Sequence, residues 1–275
     1  MAMRKFYKKC LLALVIEGAV VYLFSLAVLA VEYNLDFDII HFNGFEVIHS
    51  INKSKKKTAA KKLIIGDSTG NQLYSNYSYN DSVYSIACNR AITMAGQYFL
   101  LNNFFKANSG NLPKEVILVY HPLSFRDNLD RFAFHYLLKP FYNSDYPIDS
   151  VLNRYIVTVP FYRITKLRFV QASNYMPSYD LPQEKNVWFS TITKDYLAKI
   201  RQLCQSNGVA FRMVSSPVRS DIRAEVERTM SYYPDSSAYI TDYKRTIRYF
   251  DKSLFMDKIH MKKADVPTDY YHFVN

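Results

Sequence analysis

Ser68 stands in Lys62-Leu63-Ile64-Ile65-Gly66-Asp67-Ser68-Thr69-Gly70-Asn71, where an apolar run ends abruptly in Gly-Asp-Ser. A serine hydroxyl is a weak nucleophile until a neighbouring base takes its proton; it can then attack an acyl carbonyl. A base is available far downstream, where Asp257-Lys258-Ile259-His260 sets an acid and an imidazole three residues apart. At that spacing one short turn lets the carboxylate orient the imidazole toward a nucleophile. The same residues have a purely structural use, with Ser68 capping a helix and His260 lying on the surface.

For the chemical use, two distant segments must meet at one edge of a sheet. Leu63 to Ile65 read as a short buried strand, Gly66 permits the turn that ends it, and the residues after Ser68 can open a helix. Open α/β sheets place their ligands at this point, beyond the C-terminal ends of parallel strands. Backbone N–H groups at the helix start there can stabilise a developing oxyanion. Further strands are expected at Val83 to Ala87, Glu115 to Tyr120, Val209 to Val214 and Ile247 to Phe250. Helical patterns cover Tyr98 to Phe105, Ser190 to Gln205 (with Asn207-Gly208 as its stop), Asp221 to Met230 and Ser237 to Thr246. Alternating strands and helices predict an α/β domain with a mostly parallel sheet covered on both faces. The roughly 240 residues after the N-terminal segment are enough to bury such a core.

An early Gly-Asp-Ser block and a late Asp-x-x-His block, in that order, resemble the SGNH (GDSL-like) hydrolase superfamily. The resemblance implies a three-layer α/β/α fold with a flavodoxin-like sheet over residues 61–275. It makes Ser68 the nucleophile, His260 the general base and Asp257 the orienting acid. The superfamily's second block supplies a glycine N–H to the oxyanion hole, beside that of the serine, and Gly96 in Met94-Ala95-Gly96-Gln97 is the matching residue. The third block, Gly-x-Asn-Asp, is absent: the middle strand runs into His121-Pro122-Leu123-Ser124-Phe125, and Asn128 stands at the wrong offset. His121 could replace the missing asparagine as an oxyanion donor, or it could be satisfied by backbone at the strand end. With that departure the chain looks more like the divergent, membrane-anchored members that modify bacterial envelope polysaccharides and teichoic acids. These include the alginate O-acetylation proteins and the D-alanyl transfer protein of teichoic-acid D-alanylation. This likeness implies an envelope glycan or teichoic-acid-like polymer as substrate and a membrane-bound O-acyltransferase as partner. No cofactor is implied, and no Cys/His cluster stands at metal-ligand spacing.

Met1 to Lys9 form a short basic tail carrying Arg4, Lys5, Lys8 and Lys9, and Cys10 to Val31 contain a single charge, Glu17. That stretch is long enough for a transmembrane helix, and the basic flank predicts a cytoplasmic N-terminus with everything after the span outside. A cleaved signal peptide, cut after Val28-Leu29-Ala30, is the alternative. Glu17 within the span reads either as a contact for a partner helix or as a group reaching the interface. Residues 32–60 read as a basic stalk, with Lys53 to Lys62 a solvated approach to the first strand. The net charge of +11 favours anionic surroundings such as phospholipid or an acidic envelope polymer, and the span argues against nucleic acid as partner. Cys88 and Cys204 are the two cysteines that could pair in an oxidising compartment.

Residues 128–185 interrupt the alternation with an aromatic insertion that includes Phe132, Tyr136, Phe141, Tyr146, Phe161 and Tyr175. It can form a lid or sugar groove, or a satellite cluster packed on the domain. Three functions follow from these readings. The first is an extracytoplasmic serine acyltransferase or esterase acting on O-acyl groups of an envelope glycan. The second is a catalytically silent scaffold or glycan-binding component, and the third a lipid-facing hydrolase.

Overall fold

The computed structural model describes residues 2–35, 45–78, 82–88, 93–129, 149–158, 163–164, 167, 184–234 and 237–273. Among them the helices are α1 (Ala2–Leu35), α2 (Phe45–Ser54), α3 (Ser68–Leu73), α4 (Thr93–Ala107), α5 (Ser150–Ile156), α6 (Thr191–Ser206), α7 (Arg223–Ser231) and α8 (Ala238–Arg245). The strands are β1 (Lys62–Gly66), β2 (Val83–Ser85), β3 (Glu115–Tyr120), β4 (Ala210–Ser215), β5 (Val218–Arg219) and β6 (Tyr249–Phe250). The result is a mixed α/β fold with a parallel sheet preceded by one long apolar helix.

The main sheet runs in the order β2-β1-β3-β4, and every pairing is parallel. Strands buried on both faces read as continuous apolar runs, and Leu63 to Ile65 and Val116 to Val119 are fully buried. Alternate side chains serve opposite faces. Leu63, Ile65, Val116 and Leu118 pack with Phe104 of α4, Tyr196 of α6 and Tyr243 of α8. Ile64, Ile117 and Val119 meet Leu73 of α3 and then Phe255, Met261 and Tyr270 of the C-terminal segment. On this second face the described cover is one short helix and a series of 3-10 turns, not a layer of long helices. Register sets Gly66 beside Val119, so β1 and β3 end together and deliver their following residues to one edge.

Two expectations change. The last strand does not extend the main sheet: β6 pairs with β5 in a separate two-stranded sheet. Pro217, between β4 and β5, has no N–H with which to continue the ladder, and Val218 N–H turns instead to the carbonyl of Arg248 at 3.0 Å. The stretch expected as a stalk contains α2, whose Val47 and Ile51 join the core. Lys53 is buried rather than solvated, its Nζ donating to the carbonyls of Asn76 at 2.5 Å and Ser78 at 2.9 Å. Its ammonium also lies 4.5 Å from the Tyr84 ring centre, a cation–π contact. A lysine run hides such a residue because its stem is apolar and only its tip needs partners.

α1 carries a stretch of 26 residues, Met3–Val28, that is long and apolar enough to cross a membrane. At 1.5 Å per residue it measures about 39 Å, against a hydrocarbon core of about 30 Å. Within the aromatic insertion the structure describes α5, with Leu152 and Ile156 in the core. Most of the insertion, and with it the lid or groove, lies outside the described residues. Cys88 and Cys204 are both buried and free.

Candidate active site

Gly66 is required by distance rather than by backbone angle. A Cβ there would stand 2.1 Å from the carbonyl oxygen of Val119, so only glycine lets β1 and β3 close at this level. The Gln97 side chain of α4 fixes the same residue, accepting from Gly66 N–H at 2.9 Å and donating to its carbonyl at 2.8 Å. Asp67 then caps α3: its Oδ1 accepts from the N–H groups of Thr69 at 3.0 Å and Gly70 at 3.2 Å. Its Oδ2 accepts from the backbone N–H of His121, at the end of β3, at 3.2 Å. Capping therefore falls to Asp67, and the hydroxyl of Ser68 is left for other work.

That hydroxyl meets the other end of the chain. His260 Nε2 lies 2.9 Å from Ser68 Oγ, and His260 Nδ1 lies 2.7 Å from Asp257 Oδ2. Facing a carboxylate, Nδ1 carries the proton, so in the neutral ring Nε2 accepts from the serine hydroxyl. The Asp257–His260 turn is closed by its own acid. Asp257 Oδ1 accepts from the N–H groups of Ile259 at 2.8 Å and His260 at 2.7 Å. Phe255 and Met261 bridge across the base of the turn, with Met256 N–H donating to the His260 carbonyl at 2.8 Å. Burial alone would raise the Asp257 carboxyl, but those N–H groups and the imidazole outweigh it and hold it below the usual carboxylate value.

His121 is the second imidazole in the cleft lining. It is fully buried, and its Nδ1 accepts from Leu123 N–H at 3.2 Å. Burial pushes its pKa down to about 4, and His260, Lys258 and Arg126 add to that against the opposing pull of Asp67. The ring is therefore neutral at pH 7, and with Nδ1 occupied as an acceptor its proton resides on Nε2. Among the described residues Nε2 has no hydrogen-bond partner. Ser68, His121, Asp257 and His260 line one cleft of about 530 Å³, whose wall also carries Arg126 and Lys258.

The structure thus brings Ser68, His260, Asp257 and His121 together. Gly96 is not among the residues lining the cleft; it is buried in the first turn of α4, where the neighbouring Gln97 grips β1. The basic residues in the cleft wall are Arg126 and Lys258, and both are paired with Glu225, at 2.9 Å and 2.7 Å. Sequence reading missed Asp67 as a clasp between strands, Gln97, and the carboxylates that touch the site from afar. Glu46 of α2 is one of these: it accepts from Asn71 of α3, and burial raises its pKa although Asn71 and His260 pull it down. None of these carries a local pattern, because each acts across a fold contact. Among the described residues no group of three or more His, Cys, Asp or Glu could hold a metal ion. Comparison of the chain with protein-family models, with curated proteins and with solved structures finds no match in any of the three.

Proposed function

We propose that this chain is a membrane-anchored serine acyltransferase or esterase of the SGNH type, acting outside the cytoplasm on O-acyl groups of an envelope polysaccharide. The observation that carries the reading is the hydrogen-bonded line Asp257–His260–Ser68, a 2.7 Å step within one turn followed by a 2.9 Å step between residues 192 apart in the chain. The β2-β1-β3-β4 order, with the serine directly after β1, supports a flavodoxin-like arrangement of the sheet. α1 supplies the anchor, and Arg4, Lys5, Lys8 and Lys9 in its first turns favour a cytoplasmic N-terminus.

In this mechanism His260 Nε2 takes the Ser68 proton as Oγ bonds to the acyl carbonyl carbon. Asp257 stabilises the imidazolium that forms. Negative charge then gathers on the former carbonyl oxygen, where Ser68 N–H and His121 Nε2–H are the donors at hand. The C–O bond to the leaving alcohol breaks, His260 returns the proton to that alcohol, and an acyl-serine remains. A sugar hydroxyl, or water, loses its proton to His260, attacks the acyl-serine and frees Ser68. The anchor and the lack of the third-block asparagine favour transfer to a polymer such as an envelope glycan or teichoic acid, beside a membrane-bound O-acyltransferase.

The test is reaction of the full-length protein in detergent with a small fluorophosphonate, followed by mass mapping. An adduct on Ser68 that is absent in Ser68→Ala is expected, with labelling about 10³-fold or more slower in His260→Ala. A wild-type protein that takes no label removes the nucleophile. The second reading, a catalytically silent scaffold or glycan-binding component, is favoured by the missing asparagine and by Gly96 lying outside the cleft lining. It requires that Ser68→Ala preserve every cellular effect that loss of the protein abolishes.

A further inference from the structure

The acid–base turn is held from an unexpected side. Asp257 and His260 are respectively 55% and 25% exposed in their side chains, so packing alone does not fix them against Ser68. Two contacts reach the turn from the segment that follows β4. Arg219 Nη1 donates to the Asp257 carbonyl at 2.9 Å, while its guanidinium is paired with Asp221 through contacts of 2.8 Å and 2.5 Å. Glu225 of α7 accepts from Lys258, the residue between the acid and the base, at 2.7 Å through Oε2. Its Oε1 accepts from Arg126, on the 3-10 turn that follows His121, at 2.9 Å. One carboxylate therefore spans the two loops that face each other across the cleft.

Resting on the serine-chemistry reading above, we propose that Glu225 is the positioning residue of the acid–base turn. It ties Lys258 to Arg126 so that the Asp257–His260 turn and the His121 loop keep their spacing about Ser68. Glu225 touches none of the reacting groups; it acts through the two cations. Its place in the chain supports the role. α7 follows β5, and β5 pairs with β6, the strand that leads into the turn. Arg219 thus braces a segment to which its own strand is already paired, and Glu225 follows on the next helix. The carboxylate also offsets two positive charges beside the imidazoles. His260 is faced by Asp257 from its own turn, Glu46 from α2 and His121 from the end of β3, and Lys258 and Arg126 act on His121. Removing the Glu225 carboxylate leaves Lys258 and Arg126 without their shared partner.

Two measurements on the full-length protein in detergent test this. The first is the rate at which fluorophosphonate labels Ser68, followed against pH in wild type, Glu225→Ala and Glu225→Gln. Misplacement of a reacting group by about 1 Å can cost on the order of 100-fold. Glu225→Ala is expected to slow labelling by about 10-fold or more across the pH range. Glu225→Gln, which keeps the shape and one accepting oxygen, should fall between. The second is the low-field proton resonance of His260 Nδ1–H bonded to Asp257, in histidine-labelled protein, which needs no reactive serine. It should be sharp in wild type and broadened or lost in Glu225→Ala at a temperature where circular dichroism shows the variant folded; if that variant does not fold, Glu225→Gln is read instead. Wild-type labelling with an unchanged rate and profile in the variants, or an unchanged resonance, overturns the positioning role. Absence of any wild-type label overturns the serine chemistry instead, and the resonance then decides the Glu225 brace alone.

Discussion

At the scale of residues, Gly66 ends β1 and His121 follows β3 at the same edge of the sheet. His121 offers a buried, neutral Nε2–H in the wall of the Ser68 cleft. Loss of one oxyanion donor typically costs about 10²–10³ in rate. His121→Leu should slow fluorophosphonate labelling of Ser68 by that order, and His121→Asn, which keeps a donor, by less. The same residue makes stability acid-sensitive. Its pKa is about 6.5 unfolded and about 4 folded, so between those values the unfolded chain binds the extra proton. The contribution is whole above pH 6.5 and is lost as pH falls toward 4, by about 3 kcal/mol. Urea unfolding at pH 7 and pH 4.5 should show wild type losing more stability than His121→Asn; equal losses would refute the assignment. Gly66→Ala would force a Cβ into the Val119 carbonyl, a backbone atom that cannot rotate away. We expect a loss of about 3 kcal/mol or more, read as a lower urea midpoint with an unchanged slope.

At the scale of elements, α2 is the unexpected partner of the segment that carries Ser68. Asn76, a few residues after α3, donates to the Glu46 carbonyl at 3.2 Å and to Ser50 Oγ at 2.7 Å. Its own carbonyl receives Lys53 Nζ at 2.5 Å. Beneath this network Val47 and Ile51 are fully buried. Each such side chain contributes about 1.5–3 kcal/mol by burial, a large share of a typical domain's 5–15 kcal/mol. A soluble fragment starting at Phe45 should therefore fold, whereas one starting at Lys61, which keeps every strand, should aggregate or melt far lower. Circular dichroism melts of the two fragments give the answer, and equal melting temperatures would show α2 to be dispensable.

At the scale of the whole molecule, a basic tail, a long apolar helix and an α/β domain follow one another. A retained span with the positive flank inside predicts that alkaline carbonate leaves the protein in the membrane pellet. It also predicts that an alkaline phosphatase fusion after residue 275 is active outside the cytoplasm. Release into the supernatant would mean a cleaved leader or a peripheral protein, and an inactive fusion would mean the opposite orientation.

The sequence by itself determined what depends on neighbours along the chain. The apolar run of β1 and its Gly-Asp-Ser end, the run of β3, the amphipathic α6 with its stop at Gly208 (φ +65°) and the i,i+3 acid–imidazole turn all rest on local composition and spacing. The tertiary structure alone decided what depends on residues meeting from far apart. It made Asp67 the cap and left Ser68 to His260, clasped Gly66 of β1 with Gln97, and buried Lys53 under carbonyls from another segment. It sent β6 to a second sheet, and it joined Lys258 and Arg126 through one carboxylate on α7. A periodicity records which face of an element is apolar, but not which element will cover it. A charged side chain reads as solvated until the fold supplies its partner.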